Sequence, residues 1–299
     1  MGKFDHLEFD ARTINYEKAA DALRNYGCVL IRQGLDKVFL SQVAALTHGN
    51  LVLFDEDIID RGGDSLFTDA NVRGNHQVFD NLWYYKIGQF PVEWIYSAEM
   101  MEKIYRQDVA IKIACTYFKS EEAYAGAAFV HRVHPLIPAI PFHQDGSYMI
   151  ELNDYLNVWI PLMTCGVDAP GMEYIPRKEP TIYPVENKQF SFQQGLYDFI
   201  TVNESITHVP EEGYWHPELR LGDFFIHNPY VIHRSYSVPS MLRERLSVNF
   251  LYCSPSASTK KPIVLKPTTT TQDCSPEASP NVKPEFERDV EANFVSQTA

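Results

Sequence analysis

Residues 16–26, YEKAADALRNY, set Tyr16, Ala19, Ala20, Leu23 and Tyr26 on one face at the helical period. Gly27 follows as a C-terminal stop, and Cys28-Val29-Leu30-Ile31-Arg32 predicts a strand. A second helix begins near Asp36 and runs through FLSQVAAL. A third covers 92–107, VEWIYSAEMMEKIYRQ, with Trp94, Met101, Ile104 and Tyr105 as its apolar positions. From about residue 108 the pattern changes to short β-prone runs separated by turn residues: VAIKIACTYF, AAFVHRV, YLNVWIPLM, GMEYIP, FFIHN and RLSVNFLYC. Helices first and strands later predict a β-sandwich or barrel with helices packed on one side. From Ser254 to Ala299 the chain is rich in Pro, Ser and Thr and poor in large apolar residues, which predicts an irregular tail. The expected organisation is one domain over 1–253, with a helical part over 1–107 and a β-core over 108–253, then the tail 254–299.

The 299 residues suffice for a sizeable core, and 45% apolar with 13% aromatic residues excludes a wholly disordered chain. A net charge of −13 argues against binding a phosphate backbone, so no nucleic-acid partner is expected. Cys28, Cys115, Cys165, Cys253 and Cys274 form no C-x-x-C pair and read as reduced thiols. The N-terminus shows no apolar signal segment, and no apolar run approaches the ~20 residues of a membrane span. A soluble, cytoplasmic protein without a membrane partner is expected, and a homodimer is compatible with the sequence.

The strongest chemical signal is His143-Gln144-Asp145 within IPFHQDGSYM. In a strand, positions i and i+2 share a side, so one imidazole and one carboxylate are offered to the same metal, and Gly146 lets the backbone turn away. A lone H-x-D is weak and needs a distant histidine. The segment 221–252 supplies His233, with His227 as its rival. It ends in an alternating strand: Arg243, Arg245, Ser247 and Asn249 on one face, Leu246, Val248, Phe250 and Tyr252 on the other. A buried arginine on the polar face needs an anionic partner, and a dicarboxylate suits its planar fork. Two histidines and one carboxylate form the facial triad of non-haem Fe(II) oxygenases.

With these residues in place, the chain resembles the phytanoyl-CoA dioxygenase family of Fe(II)- and 2-oxoglutarate-dependent oxygenases. The likeness covers most of 16–252: YGCVLIR, the HQD triplet, VWIPL, GMEYIP and the GD–H–R end. It implies a mainly β fold with flanking helices around a double-stranded β-helix (jelly-roll, cupin-like) core. It also implies that His143, Asp145 and His233 hold Fe(II), that Arg243 binds the distal carboxylate of 2-oxoglutarate, and that Ser235 and Trp159 line the cosubstrate site. Arg245, on the same face, competes with Arg243. One departure is that Pro176 is followed by Arg177-Lys178-Glu179, where relatives commonly carry Gly-Ser-His. Asp145 stands where halogenating relatives have a small residue, which favours hydroxylation or another hydrogen-abstraction outcome on a small organic molecule. O2 is the co-reactant, and specialised metabolism is a fitting context.

His131 and His134 form H-x-x-H, but the β-rich, Pro-containing context favours histidines beside the site or at the surface over a zinc pair. His208 and His216 read as solvated. Trp83-Tyr84-Tyr85 read as core, with a substrate entrance as the alternative. Residues 46–90 and 178–215 lack clear periodicity and are candidate lids. Two rival functions stay open: a cupin-like metalloenzyme (an isomerase or a dioxygenase without cosubstrate) and a non-catalytic β-barrel binding module.

Overall fold

Asn15 and Gly27 bound the first helix as the local chemistry requires. The Asn15 side chain accepts from Lys18 N, and Gly27 adopts φ 82°, a left-handed stop that glycine favours. In the computed structural model the described residues are 2–60, 88–135, 140–147, 154–178, 180–185, 201–210, 213–257 and 263–268. All but Thr268 belong to one unit, Met1–Pro267.

Strand β1 (Glu8–Asp10) pairs in parallel with β2 (Cys28–Arg32), and α1 (Tyr16–Tyr26) connects them. Helix α2 (Lys37–Asp60) follows. It continues well past the stretch predicted to be helical, into the segment that showed no clear period. Its Val38, Leu46, Val52 and Leu53 are exposed, so apolar residues are not confined to one face and the periodic signal is blurred. Strand β3 (Gln89–Pro91) precedes a short 3-10 turn at Val92–Trp94. Then α3 (Ala98–Tyr105) starts at Ser97, whose side chain accepts from Met100 N. The single helix expected over 92–107 is therefore two pieces, divided at this capping serine.

One predicted strand is a helix. VAIKIACTYF lies in α4 (Asp108–Phe118), which packs against α1. Its β-branched residues suggested a strand, but Ala110, Ile111, Ala114 and Cys115 are buried at helical spacing, and Lys112 pairs with Asp108 one turn back at 2.7 Å. Tertiary burial of that stripe overrides local β-propensity.

The other predicted runs contain strands: β4 (Ala123–Val133), β5 (Tyr155–Pro161), β6 (Gly171–Ile175), β7 (Phe224–His227) and β9 (Arg245–Cys253); the short helix α5 (Glu204–Thr207) and strand β8 (Ile232–Tyr236), which carries His233, lie outside those runs. Strand β10 (Ile263–Leu265) pairs antiparallel with β4, so part of the tail expected to be irregular completes an edge of the sheet. Among the described residues the larger sheet runs β1-β2-β7-β5-β9-β4-β10, with β3 also on β4, and a smaller sheet joins β6 to β8. Three strands of the larger sheet come from the part expected to be helical. The outcome is a mainly β, cupin-like jelly roll with flanking helices.

Strand β9 lies between β4 and β5 and is buried along both faces. Phe250 and Tyr252 point to the helices, where Phe250 meets Tyr105 edge-on at 5.3 Å and the Tyr252 hydroxyl donates to Tyr105 O. The opposite face carries Arg245, Ser247 and Asn249 toward the site.

Candidate metal centre

His143 and His233, far apart in sequence, exchange both backbone hydrogen bonds, at 2.9 Å and 3.0 Å, as an isolated antiparallel bridge. The bridge extends the smaller sheet by one residue and sets the two imidazoles side by side, with ring centroids 4.2 Å apart. Nδ1 of His143 donates to Pro141 O at 2.8 Å, and Nδ1 of His233 lies 3.2 Å from Val231 O. A carbonyl only accepts, so both protons sit on Nδ1 and each Nε2 carries a lone pair.

Asp145 opens a 3-10 turn, Asp145–Ser147. The strand geometry expected for His143 and Asp145 is therefore a bridge followed by a turn, yet the two side chains still meet: Asp145 Oδ1 lies 3.7 Å from His143 Nε2 and 3.6 Å from His233 Nε2. Gly146 is needed here, because a Cβ would fall 3.0 Å from Pro229 O and 2.6 Å from the Ile182 side chain. One ligand atom from each of His143, Asp145 and His233 lies within 4.8 Å of the others, and all three residues are buried.

The electrostatics suit a cation. Burial lowers the pKa of His143 and takes that of His233 well below the ordinary value, keeping the imidazoles neutral. Burial opposes ionisation of Asp145, but its carboxyl is held well below the usual range, with His227 hydrogen-bonded to Oδ2. Two neutral imidazoles and one anionic carboxylate are the donor set a divalent transition metal takes.

His227 is close but placed differently. Its Nε2 lies 3.2 Å from Asp145 Oδ2, whereas Oδ1 is the oxygen nearest His143 and His233, and its Nδ1 meets the Tyr174 hydroxyl at 3.1 Å. Gln144, between the two ligand candidates, points elsewhere. It donates to Thr181 O and Tyr230 O and accepts from Tyr183 N, tying the turn to two neighbouring segments.

The expectation that Arg243 faces the site is not met. Arg243 is exposed and precedes β9, its backbone N held with that of Leu242 on Asp168 O at 3.1 Å. That turn ends the strand alternation at Arg245. Arg245 is 1% exposed, donates from Nη1 to Gly171 O at 2.8 Å, and sets its guanidinium 5.1 Å from the Trp159 ring centroid. Trp159 is buried on β5. Ser235 is buried on β8, paired with Met172, whose sulfur lies 3.7 Å from Arg245 Nη1. Ser247, two positions along β9 from Arg245, is buried, and its hydroxyl has no hydrogen-bond partner among the described residues.

Asn157 and Tyr174 escaped the sequence reading. Asn157 was detectable as one amide in the otherwise apolar YLNVWIP, since a buried amide needs partners. It donates to Asp145 Oδ2 at 2.9 Å. His131 belongs beside the site: its Nε2 meets Asn249 Oδ1 at 2.7 Å. His208 and His216 are exposed. Trp83-Tyr84-Tyr85 lie outside the described residues, as do parts of both candidate lid segments.

No protein-family model matches this chain, and no curated protein sequence does. Solved structures do resemble it. The apo form of the non-heme monooxygenase ThoJ aligns with TM-score 0.57 and 14% identity over 93% of each chain. The non-heme alpha-ketoglutarate-dependent carbocyclase SnoK from nogalamycin biosynthesis aligns with TM-score 0.53 and 15% identity over 83% of this chain and 87% of its own. The non-heme alpha-ketoglutarate-dependent epimerase SnoN, from the same biosynthesis, gives 0.50 and 14% over 90% and 95%. At such identities the likeness is one of fold.

Proposed function

We propose that this chain is a non-haem Fe(II)- and 2-oxoglutarate-dependent oxygenase, akin to the phytanoyl-CoA dioxygenase family, that oxidises a small organic molecule with O2. The observation that carries this is the convergence of His143, Asp145 and His233 within 4.8 Å, with both histidine protons committed to backbone carbonyls. The fold shared with ThoJ, SnoK and SnoN supports it, and the part of SnoK and SnoN in nogalamycin biosynthesis makes specialised metabolism the natural context.

The residues fit both groups. His143 and His233 offer Nε2 and Asp145 offers Oδ1 to iron. A buried guanidinium and the orphaned Ser247 hydroxyl lie on one face of β9, as a keto-acid carboxylate requires: Arg245 supplies charge and Ser247 an O–H. Arg245 thus takes the role first given to Arg243, with Trp159 and Ser235 as neighbouring walls. Bound iron supplies reductive O2 activation coupled to decarboxylation of the keto acid to succinate and CO2. The protein's part is to orient the keto acid through Arg245, to keep the histidines unprotonated at Nε2, and to exclude water with the aromatic wall of Trp159, Phe225 and Tyr174.

A metalloenzyme without cosubstrate has no use for Arg245 and Ser247, which favours the keto-acid reading over that rival. The test is anaerobic Fe(II) and 2-oxoglutarate binding, followed by succinate release on exposure to air. Iron binding without any dependence on 2-oxoglutarate would leave the cosubstrate-free rival standing.

A further inference from the structure

The two oxygens of Asp145 keep different company. Oδ1 faces Nε2 of His143 and of His233 at 3.7 Å and 3.6 Å. Oδ2 accepts from Asn157 Nδ2 at 2.9 Å and lies 3.2 Å from His227 Nε2. A carboxylate only accepts, so His227 carries its shared proton on Nε2, and Nδ1 is left to accept from the Tyr174 hydroxyl at 3.1 Å. From the other side, Asn249 Nδ2 donates to Asn157 Oδ1 at 3.3 Å, and His131 Nε2 to Asn249 Oδ1 at 2.7 Å. Every donor points the same way. One chain runs His131, Asn249, Asn157 from β4, β9 and β5; the other runs Tyr174, His227 from β6 and β7. Both end on one oxygen.

We propose that Asn157 and His227 are positioning residues that hold Asp145 one-sided, committing Oδ2 to the protein and Oδ1 to the cation. This rests on the metal-centre reading. A carboxylate beside a cation otherwise binds through either oxygen or both, and it swings about its Cβ–Cγ bond. Two N–H groups on Oδ2 remove that freedom. The chains also hold the donors in register: turning the Asn157 amide over would set N–H against the Asn249 N–H. Tyr174 and His131 act at the outer ends, each fixing the proton or amide orientation of the next group inward.

The test is anaerobic titration of the metal-free protein with Co(II), followed by calorimetry and by the d–d absorption bands, with thermal unfolding of each metal-free variant measured alongside. His227→Leu and Asn157→Leu are each expected to weaken Co(II) binding about 10–100-fold, the usual effect of removing such outer partners, and to shift the bands. The double variant should lose less than the product of the two, because both groups hold the same oxygen. His227→Gln, which keeps an N–H, should recover part of the loss. Tyr174→Phe deletes only a hydroxyl, leaves the ring packing in place, and should weaken binding about 2–10-fold. Wild-type affinity and bands in both leucine variants and in Tyr174→Phe would overturn the positioning role. So would weakening that merely follows lost thermal stability, with glutamine no better than leucine. Failure of the wild-type protein to bind Co(II) overturns the metal centre itself, which separates the two failures.

Discussion

The guanidinium of Arg245 lies over the indole of Trp159, 5.1 Å from the ring centroid, with the two residues on adjacent strands β9 and β5. The ring quadrupole and the Gly171 carbonyl, which accepts from Nη1 at 2.8 Å, both fix the orientation of this cation.

Arg245→Gln is expected to raise the 2-oxoglutarate concentration for half-maximal succinate formation by about 30-fold or more, the scale of losing one side of a buried ion pair. Arg245→Lys should restore little, since an ammonium has no planar fork. Arg243→Ala should leave that concentration within about twofold, as befits an exposed side chain away from the site. Steady-state kinetics in 2-oxoglutarate check this; a larger effect at Arg243 would return the role to it.

His143→Ala should abolish stoichiometric Fe(II) binding and succinate release together, a greater loss than the roughly 10–100-fold typical of outer partners. The metal-free fold should persist, because the 2.9 Å and 3.0 Å bonds that join His143 to His233 are made by backbone atoms. Metal analysis paired with circular dichroism decides it; turnover retained at wild-type rate would reject the assignment.

His131 gives a pH signature. Burial lowers its pKa to about 4 from an ordinary 6.5, opposed by its bond to Asn249. Between those values the unfolded chain binds the proton and the folded chain does not, so folding stability must fall as pH drops from 6.5 toward 4. The integrated loss is of order 3 kcal/mol at most. His131→Gln should flatten this slope. Urea unfolding across that window measures it, and an unchanged slope in the variant would assign the titration elsewhere.

Gly27 ties the first helix to the centre. A Cβ there would approach the Val231 side chain to 2.7 Å, and Val231 O accepts from the His233 ring. Gly27→Ala is expected to cost about 1–3 kcal/mol from positive φ and overpacking together. It should also weaken metal binding by displacing the carbonyl that orients His233. Chemical denaturation and Co(II) titration of the same variant test both parts; lost stability with intact affinity would uncouple them.

Much of this protein was legible along the chain. The alternation over residues 245–253 placed β9 and assigned its two faces, because a side-chain period of two survives in a strand that faces different surroundings on each side. The Gly27 stop and the HQD triplet were readable for similar local reasons. Where both candidate structures bury apolar residues, local pattern was insufficient: VAIKIACTYF is β-prone, and only packing against α1 decides that it is α4.

Tertiary structure alone decided which groups meet. No local spacing says that His143 and His233 pair as a two-residue bridge, that the strand begins at Arg245 and leaves Arg243 outside, or that Oδ2 of Asp145 is shared by Asn157 and His227. These depend on register between strands distant in sequence. A shift of one residue there turns every side chain to the opposite face, and burial of the whole core selects the register.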